Sequence, residues 1–113
     1  MIKLFGIPNC DTVKKARTFL EKKKISYEFV DFKKSPPEPV EIKRWAEKFG
    51  GLPVNTKGPT YRKNKEAYEP LTEAKKIKFL TETTSMIKRP ILEKDGKTLA
   101  FGFDEDIYKS LFK

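Results

Sequence analysis

The chain contains one cysteine, Cys10, placed where a short apolar segment meets the start of a helical pattern. Residues 2–5 favour a strand, and Gly6 and Pro8 are typical of a tight loop. The apolar residues that follow recur at helical spacing: Val13, Ala16 and Leu20. The first turn of a helix has free N–H groups and the positive end of the dipole, so it lowers a thiol pKa from about 8.5. The pattern therefore favours a thiolate, which is a nucleophile.

The residues around Cys10 indicate whether its thiol is reactive or only fills space in the core. Most free cysteines are small buried residues. Here the polar residues Asn9 and Thr12 flank Cys10, which makes this a poor place to bury an apolar group. Their side-chain oxygens can cap helix N–H groups, and Lys14 and Lys15 add positive charge. We interpret Cys10 as a reactive thiol beside an anion site to which Asn9, Thr12 and Lys14 contribute.

Composition limits the class of protein. A chain of 113 residues with 37% hydrophobic residues and nine Phe can form one domain around one core. No long apolar run or signal-peptide pattern is present, and a single thiol suits a reducing compartment, so we expect a cytoplasmic protein with no membrane association. The chain has no His and cannot form an intrachain disulfide, so we expect no metal site.

The net charge is +9, from 25 Lys and Arg against 16 Asp and Glu. Basic residues are spread along the chain without a nucleic-acid-binding motif, which is typical of solvated helix faces. We therefore do not expect nucleic-acid binding. A small anion, such as an oxyanion or glutathione, requires no more positive charge than this.

The first third of the chain predicts a βαβ unit. A helix is expected over residues 10–24 and a second strand over residues 25–32. Apolar residues of that strand alternate with polar ones: Ile25, Tyr27 and Phe29. Such a unit has parallel strands and a right-handed crossover.

A helical insertion is expected over about residues 36–84. Pro39 suits the start of a helix, which two glycines end. Residues 52–60 contain two prolines and a glycine and predict a loop that leads to Arg62. A further helix over residues 72–82 is expected to bury one face: Ala74, Ile77 and Leu80.

The last part predicts a hairpin and a helix. Asp95 and Gly96 are a strong signal for a two-residue turn between strands. Acidic residues 104–106 open a final helix, expected to pack through four residues: Ile107, Tyr108, Leu111 and Phe112. The order β-α-β, helical insertion, β-β-α predicts an α/β protein with a thioredoxin-like fold. We expect one domain over 1–113, with a four-stranded mixed sheet and the insertion between strands 2 and 3.

Three blocks resemble the arsenate-reductase-related (ArsC-like) family of that fold, most of all its YffB-type branch. They are residues 6–17 (GIPNCDTVKKAR), 61–64 (YRKN) and 86–92 (MIKRPIL), and the resemblance extends over essentially the whole chain. It implies that Cys10 is the nucleophile and that Arg62 and Arg89 bind the anion. It also implies a cis Pro90 beside the cysteine loop, which would hold Arg89 against Cys10.

The sequence lacks two residues that related proteins use: a third arginine at the anion site and a second cysteine. The family's arsenate reductases carry a third arginine after the last strand, where residues 101–104 are Phe-Gly-Phe-Asp. Val13 occupies the second position of a Cys-x-x-Cys motif, so the resolving thiol must come from outside the chain. The sequence therefore favours a monomeric, glutathione-linked thiol reductase without a bound cofactor. Its partners would be glutathione, glutaredoxin or a protein thiol.

Three alternatives remain open at the sequence level. The Spx-type transcription regulators, which bind RNA polymerase, share the fold, although the switch resembling Cys-x-x-Cys cannot form here. A true arsenate reductase acting on a small oxyanion is the second alternative. A relic of the fold with no redox role is the third.

Overall fold

The structure is a computed structural model that describes residues 1–112. These residues form two compact units: a sheet unit, with residues 1–32 and those from 89 onwards, and a helical unit, residues 33–88. In chain order the elements are β1 (Ile2–Gly6), α1 (Asp11–Lys22), β2 (Tyr27–Asp31), α2 (Pro39–Phe49), α3 (Pro59–Tyr68), α4 (Glu73–Glu82), β3 (Ile91–Lys94), β4 (Lys97–Phe101) and α5 (Glu105–Leu111).

The sheet unit contains a four-stranded mixed sheet in the order β2-β1-β3-β4. β1 pairs with β2 in parallel, and the remaining pairs are antiparallel. The predicted α/β class and mixed sheet are confirmed.

One core cluster holds α1 and α5 against the sheet. Alternate strand residues supply one side of it and the two helices supply the other: Ile2, Leu4, Leu92, Ala16, Phe19, Leu20 and Tyr108. The ring of Tyr108 meets that of Phe19 edge to face at 5.6 Å between centroids. This packing fixes the start of α1 relative to the ends of β1 and β4.

The hairpin forms as predicted. Asp95 and Gly96 have φ values of 51° and 82°, the two positive values that a type I′ turn requires.

The predicted packing of α5 is partly wrong. Tyr108 is buried and Phe112 packs against the core, but Ile107 and Leu111 are 51% and 38% exposed. This seven-residue helix buries a narrow stripe, because residues adjacent to its inward positions rotate towards solvent.

The helical unit begins as predicted, with Pro39 in the first turn of α2 and Gly50 closing the helix at φ 85°. Ile42 and Trp45 are fully buried. The side-chain oxygen of Thr72 caps α4, in which Ile77 and Leu80 are buried. Ala74 is exposed, contrary to prediction: it shares the face of Ile77 and Leu80, but it lies in the first turn of the helix, where the buried stripe has not yet begun.

Helix α3 was not predicted. Residues 52–60 were expected to lead as a loop to Arg62, yet a helix begins at Pro59 and Arg62 lies on it. Only Tyr68 of this helix is buried, so the sequence carries little apolar periodicity there.

Candidate functional site

Cys10 is the N-cap residue of α1, with extended backbone angles of φ −103° and ψ 125°. Its N–H donates to the carbonyl oxygen of Ile7 at 3.2 Å, which closes the turn after β1. Its own carbonyl accepts the N–H of Lys14 at 2.9 Å, the first hydrogen bond of the helix. The thiol is therefore positioned by backbone geometry at the junction of strand and helix.

Gly6 allows this junction to be tight. A Cβ at Gly6 would lie 2.8 Å from Cγ2 of Val13, a distance that Cβ atoms essentially never show. The end of β1 thus lies closer to the first turn of α1 than any residue with a side chain at position 6 would allow. Sequence reasoning assigned Gly6 to the loop and did not identify this contact.

The pKa of the Cys10 thiol is lowered. Partial burial alone would raise the pKa, but the N–H of Val13, the guanidinium of Arg89 and the N–H of Thr12 outweigh burial by stabilising the thiolate. The thiol makes no capping hydrogen bond of regular geometry. Arg89 lowers the thiol pKa both as a hydrogen-bond donor to the thiolate and through its charge. The arrangement therefore favours the thiolate, which is the nucleophilic form of the side chain.

The backbone that carries Arg89 is tied to the end of β4. Arg89 precedes Pro90 through a cis peptide bond, as expected from the family resemblance. The carbonyl oxygen of Pro90 accepts the N–H of Gly102 at 2.8 Å. The hydroxyl of Tyr108 donates to the carbonyl oxygen of Gly102 at 3.3 Å. α5 therefore supports the position of Arg89, a role that the sequence did not reveal.

The structure thus brings together three of the predicted site residues: Cys10, Thr12 and Arg89. Thr12 acts through its backbone N–H rather than through its hydroxyl. Asn9 is exposed in the preceding loop, and its role in anion binding stays a prediction.

Two further basic residues of the predicted site are exposed. Lys14 is exposed, and its side chain lines a groove beside α1 together with Lys15 and Phe103. Arg62 is exposed on α3 in the helical unit, and its predicted role at the thiol stays a prediction.

The segment after β4 contains no arginine. Gly102 is buried, and the ring of Phe103 packs against Tyr108 at 4.8 Å between centroids. An oxyanion therefore has no forked guanidinium donor from this segment.

Within residues 1–112, no group of three acidic, cysteine or histidine side chains is arranged to hold a metal ion. Over the same residues, every helix is too short or too polar to cross a bilayer.

Comparison with known proteins identifies relatives along the whole chain. The solved structure of the YffB protein matches with a TM-score of 0.87 at 41% identity, covering 97% of each chain. An arsenate reductase (ArsC) related protein from Brucella melitensis matches with a TM-score of 0.72 at 35% identity, covering 99% of this chain and 94% of that one. The global transcriptional regulator Spx of Streptococcus agalactiae is 28% identical over 94% of this chain and 79% of its own length.

The ArsC family matches residues 5–111, which include the cysteine loop, the cis proline and the segment after β4. The chain belongs to the ArsC family, and its fold is the thioredoxin-like fold of its structural neighbours.

Proposed function

We propose that the protein is a glutathione-linked thiol reductase in which Cys10 is the nucleophile. The observation that carries the proposal is the lowered pKa of this thiol, held between the first turn of α1 and the guanidinium of Arg89. A cysteine with an ordinary pKa would react slowly with disulfides at neutral pH, because only a small fraction of its thiol groups is ionised.

The proposed reaction has two exchange steps. The Cys10 thiolate attacks the glutathione sulfur of a mixed disulfide, forms a new S–S bond and releases the substrate as a thiolate. A glutathione thiolate then attacks the disulfide on Cys10, giving oxidised glutathione and regenerating the Cys10 thiolate. In the net reaction, one reduced glutathione and the substrate mixed disulfide give the free substrate thiol and oxidised glutathione, and one of the two glutathione groups in that product comes from the substrate.

The second thiol must come from another molecule. The chain has one cysteine, and Val13 stands where a Cys-x-x-Cys protein has its resolving residue. The N–H of Val13 instead stabilises the first thiolate. Glutathione, alone or through a glutaredoxin, is the proposed reductant, and the reducing cytosol is the proposed compartment, with the protein acting as a monomer.

The test is direct. The protein is incubated with oxidised glutathione at neutral pH and weighed by mass spectrometry, then treated with reduced glutathione with or without glutaredoxin. We expect one glutathione adduct on the wild type, none on Cys10→Ser, and release by the reductant. Absence of an adduct would refute the proposal.

The Spx relative supports a second candidate function. A regulator of that kind would bind RNA polymerase through its surface and would need no turnover at Cys10. Co-purification with RNA polymerase by wild type and Cys10→Ser alike, with no adduct on the wild type, would favour this function over the reductase.

Arsenate reduction is the third candidate, supported by the arsenate reductase related neighbour. It would place a doubly charged oxyanion beside Cys10 and Arg89 without a guanidinium from residues 101–104. We expect turnover of arsenate to be much slower than turnover of a glutathione mixed disulfide, and the two rates can be measured side by side.

A further inference from the structure

An open groove lies beside α1 in the sheet unit, and the proposed chemistry does not use it. Its volume is about 330 Å³, within the range of binding clefts. Its lining combines two aromatic rings with charged side chains: Phe19, Phe103, Lys14, Lys15, Lys22 and Glu105. We call it the α1 groove.

The floor of the α1 groove is aromatic. The rings of Phe19 and Phe103 lie 6.0 Å apart between centroids and are tilted by 58°. Phe19 is 8% exposed and anchored in the core, whereas Phe103 is half-buried. The partly exposed ring of Phe103, fixed against Phe19, can receive one apolar side chain.

The rim is positive. Three exposed lysines face one glutamate around the groove: Lys14, Lys15 and Lys22 against Glu105. At the start of α5, the backbone N–H groups of Asp106 and Ile107 already donate hydrogen bonds to a carboxylate oxygen of Asp104. An anion in the α1 groove would therefore be bound by lysine side chains rather than by the helix terminus.

The groove follows α1 away from Cys10. At 1.5 Å per residue, Lys22 lies about 18 Å along the helix axis from Cys10. Glutathione, with three residues, spans at most about 11 Å and cannot reach from the thiol to Lys22. An extended polypeptide of about five residues can do so.

From the charge, the aromatic floor and this reach, we infer that the α1 groove binds an acidic segment of the protein whose disulfide Cys10 reduces. The segment carries an apolar side chain about four residues from its cysteine, because Phe19 lies about 14 Å along the helix axis from Cys10. The groove would then select protein substrates over small disulfides. This inference rests on the proposed function for its biological meaning, but the binding itself can be tested without exchange.

The exchange test uses three peptides with a central cysteine carried as a mixed disulfide with glutathione. The first has a phenylalanine about four residues away on each side and acidic residues about five residues away, the second has serine for phenylalanine, and the third has lysine for the acidic residues. We expect the wild type to reduce the first peptide several times faster than either of the others.

Lys22→Glu reverses one rim charge far from the thiol. Because an exposed ion pair contributes modestly, we expect about a threefold slower reaction with the first peptide and an unchanged rate with oxidised glutathione. Lys97→Glu, at the exposed first residue of β4, makes the same change in net charge outside the groove and should leave both rates unchanged. Equal loss in both variants would show a general charge effect and overturn the inference, as would equal rates for the three peptides.

A binding test separates the two proposals. Cys10→Ser is titrated with fluorescent versions of the peptides in which serine replaces cysteine. Preference for the acidic phenylalanine peptide, weakened by Lys22→Glu but not by Lys97→Glu, supports the groove even if Cys10 never exchanges. Exchange at Cys10 without this preference supports the proposed function and overturns the groove.

Discussion

Arg89 lies close enough to Cys10 for its guanidinium to hydrogen-bond the thiolate, and its charge also lowers the thiol pKa. The contact joins Arg89, two residues before β3, to Cys10, the residue before α1. It depends on both strand ends, because Pro90 is tied through Gly102 to the segment after β4. The chemistry of the thiol is thus linked to the folding of the whole sheet unit.

Replacing Arg89 with alanine should raise the thiol pKa, because a hydrogen bond and a positive charge that favour the thiolate are lost. Reaction with a thiol probe at neutral pH should slow severalfold. The pH profile of that reaction measures the change. Arg89→Lys is the matched control, since it keeps the charge without the fork, and it should shift the profile less. Identical profiles for wild type and Arg89→Ala would contradict the assigned contact.

Arg62→Ala tests the part of the site that rests on the family resemblance. If Arg62 binds anions at the thiol, its removal should also raise the pKa of Cys10, because a second guanidinium would be lost. Lys63→Ala removes the neighbouring charge on α3 and should have little effect. A pH profile for Arg62→Ala that coincides with the Lys63→Ala profile would remove Arg62 from the site.

The lowered pKa of Cys10 also predicts a dependence of stability on pH. A thiol that ionises more readily in the folded state stabilises it fully above the unfolded-state pKa, near 9.0, and this contribution is lost as pH falls through the folded pKa. The free energy of unfolding of the wild type, relative to Cys10→Ser, should therefore rise with pH across that window. Urea unfolding at several pH values measures it. A difference that is constant with pH would mean that the folded and unfolded thiols ionise alike.

Gly6→Ala should destabilise the protein by about 1–3 kcal/mol, the usual cost of inserting a methyl group where no space exists. The added Cβ would meet Cγ2 of Val13 at 2.8 Å, so the cysteine loop or α1 must shift. Denaturant unfolding gives the cost, and the pH profile of the thiol reports the shift.

The control is to make Gly6→Ala in a protein that already carries Val13→Ala, a substitution that removes the obstructing methyl groups. In that background Gly6→Ala should cost clearly less, since residues in contact are not additive. Equal costs in the two backgrounds would show that the close approach does not limit this position.

The elements that the sequence predicted share strong local signals. Pro39 and Gly50 bound α2, and Asp95 with Gly96 adopts the positive φ values of a type I′ turn. In each case one or two residues determine the backbone, and tertiary packing agrees with them. The same holds for Cys10, whose position at the start of α1 follows from the strand and helix that surround it.

The features that were missed depend on tertiary contacts. α3 exposes most of its side chains and buries only Tyr68, so periodicity could not reveal it. Gly102 and Tyr108 support Pro90 through hydrogen bonds between segments far apart in sequence. The cis peptide bond before Pro90 was expected only because of the family resemblance, and nothing in the residues themselves predicts it.

Each of the two units contains its own reporter: Trp45, an optical reporter, lies in the helical unit, and Cys10, a chemical reporter, lies in the sheet unit. It is the only tryptophan of the chain, is fully buried in the helical unit, and should emit at short wavelength until that unit opens. Cys10, the only cysteine, belongs to the sheet unit, and the return of its thiol pKa to the ordinary value, measured by the pH dependence of labelling, follows the unfolding of that unit. Following both signals through one denaturant titration measures cooperativity directly: coincident midpoints indicate one folding unit, as predicted for a single domain, and separate midpoints indicate two.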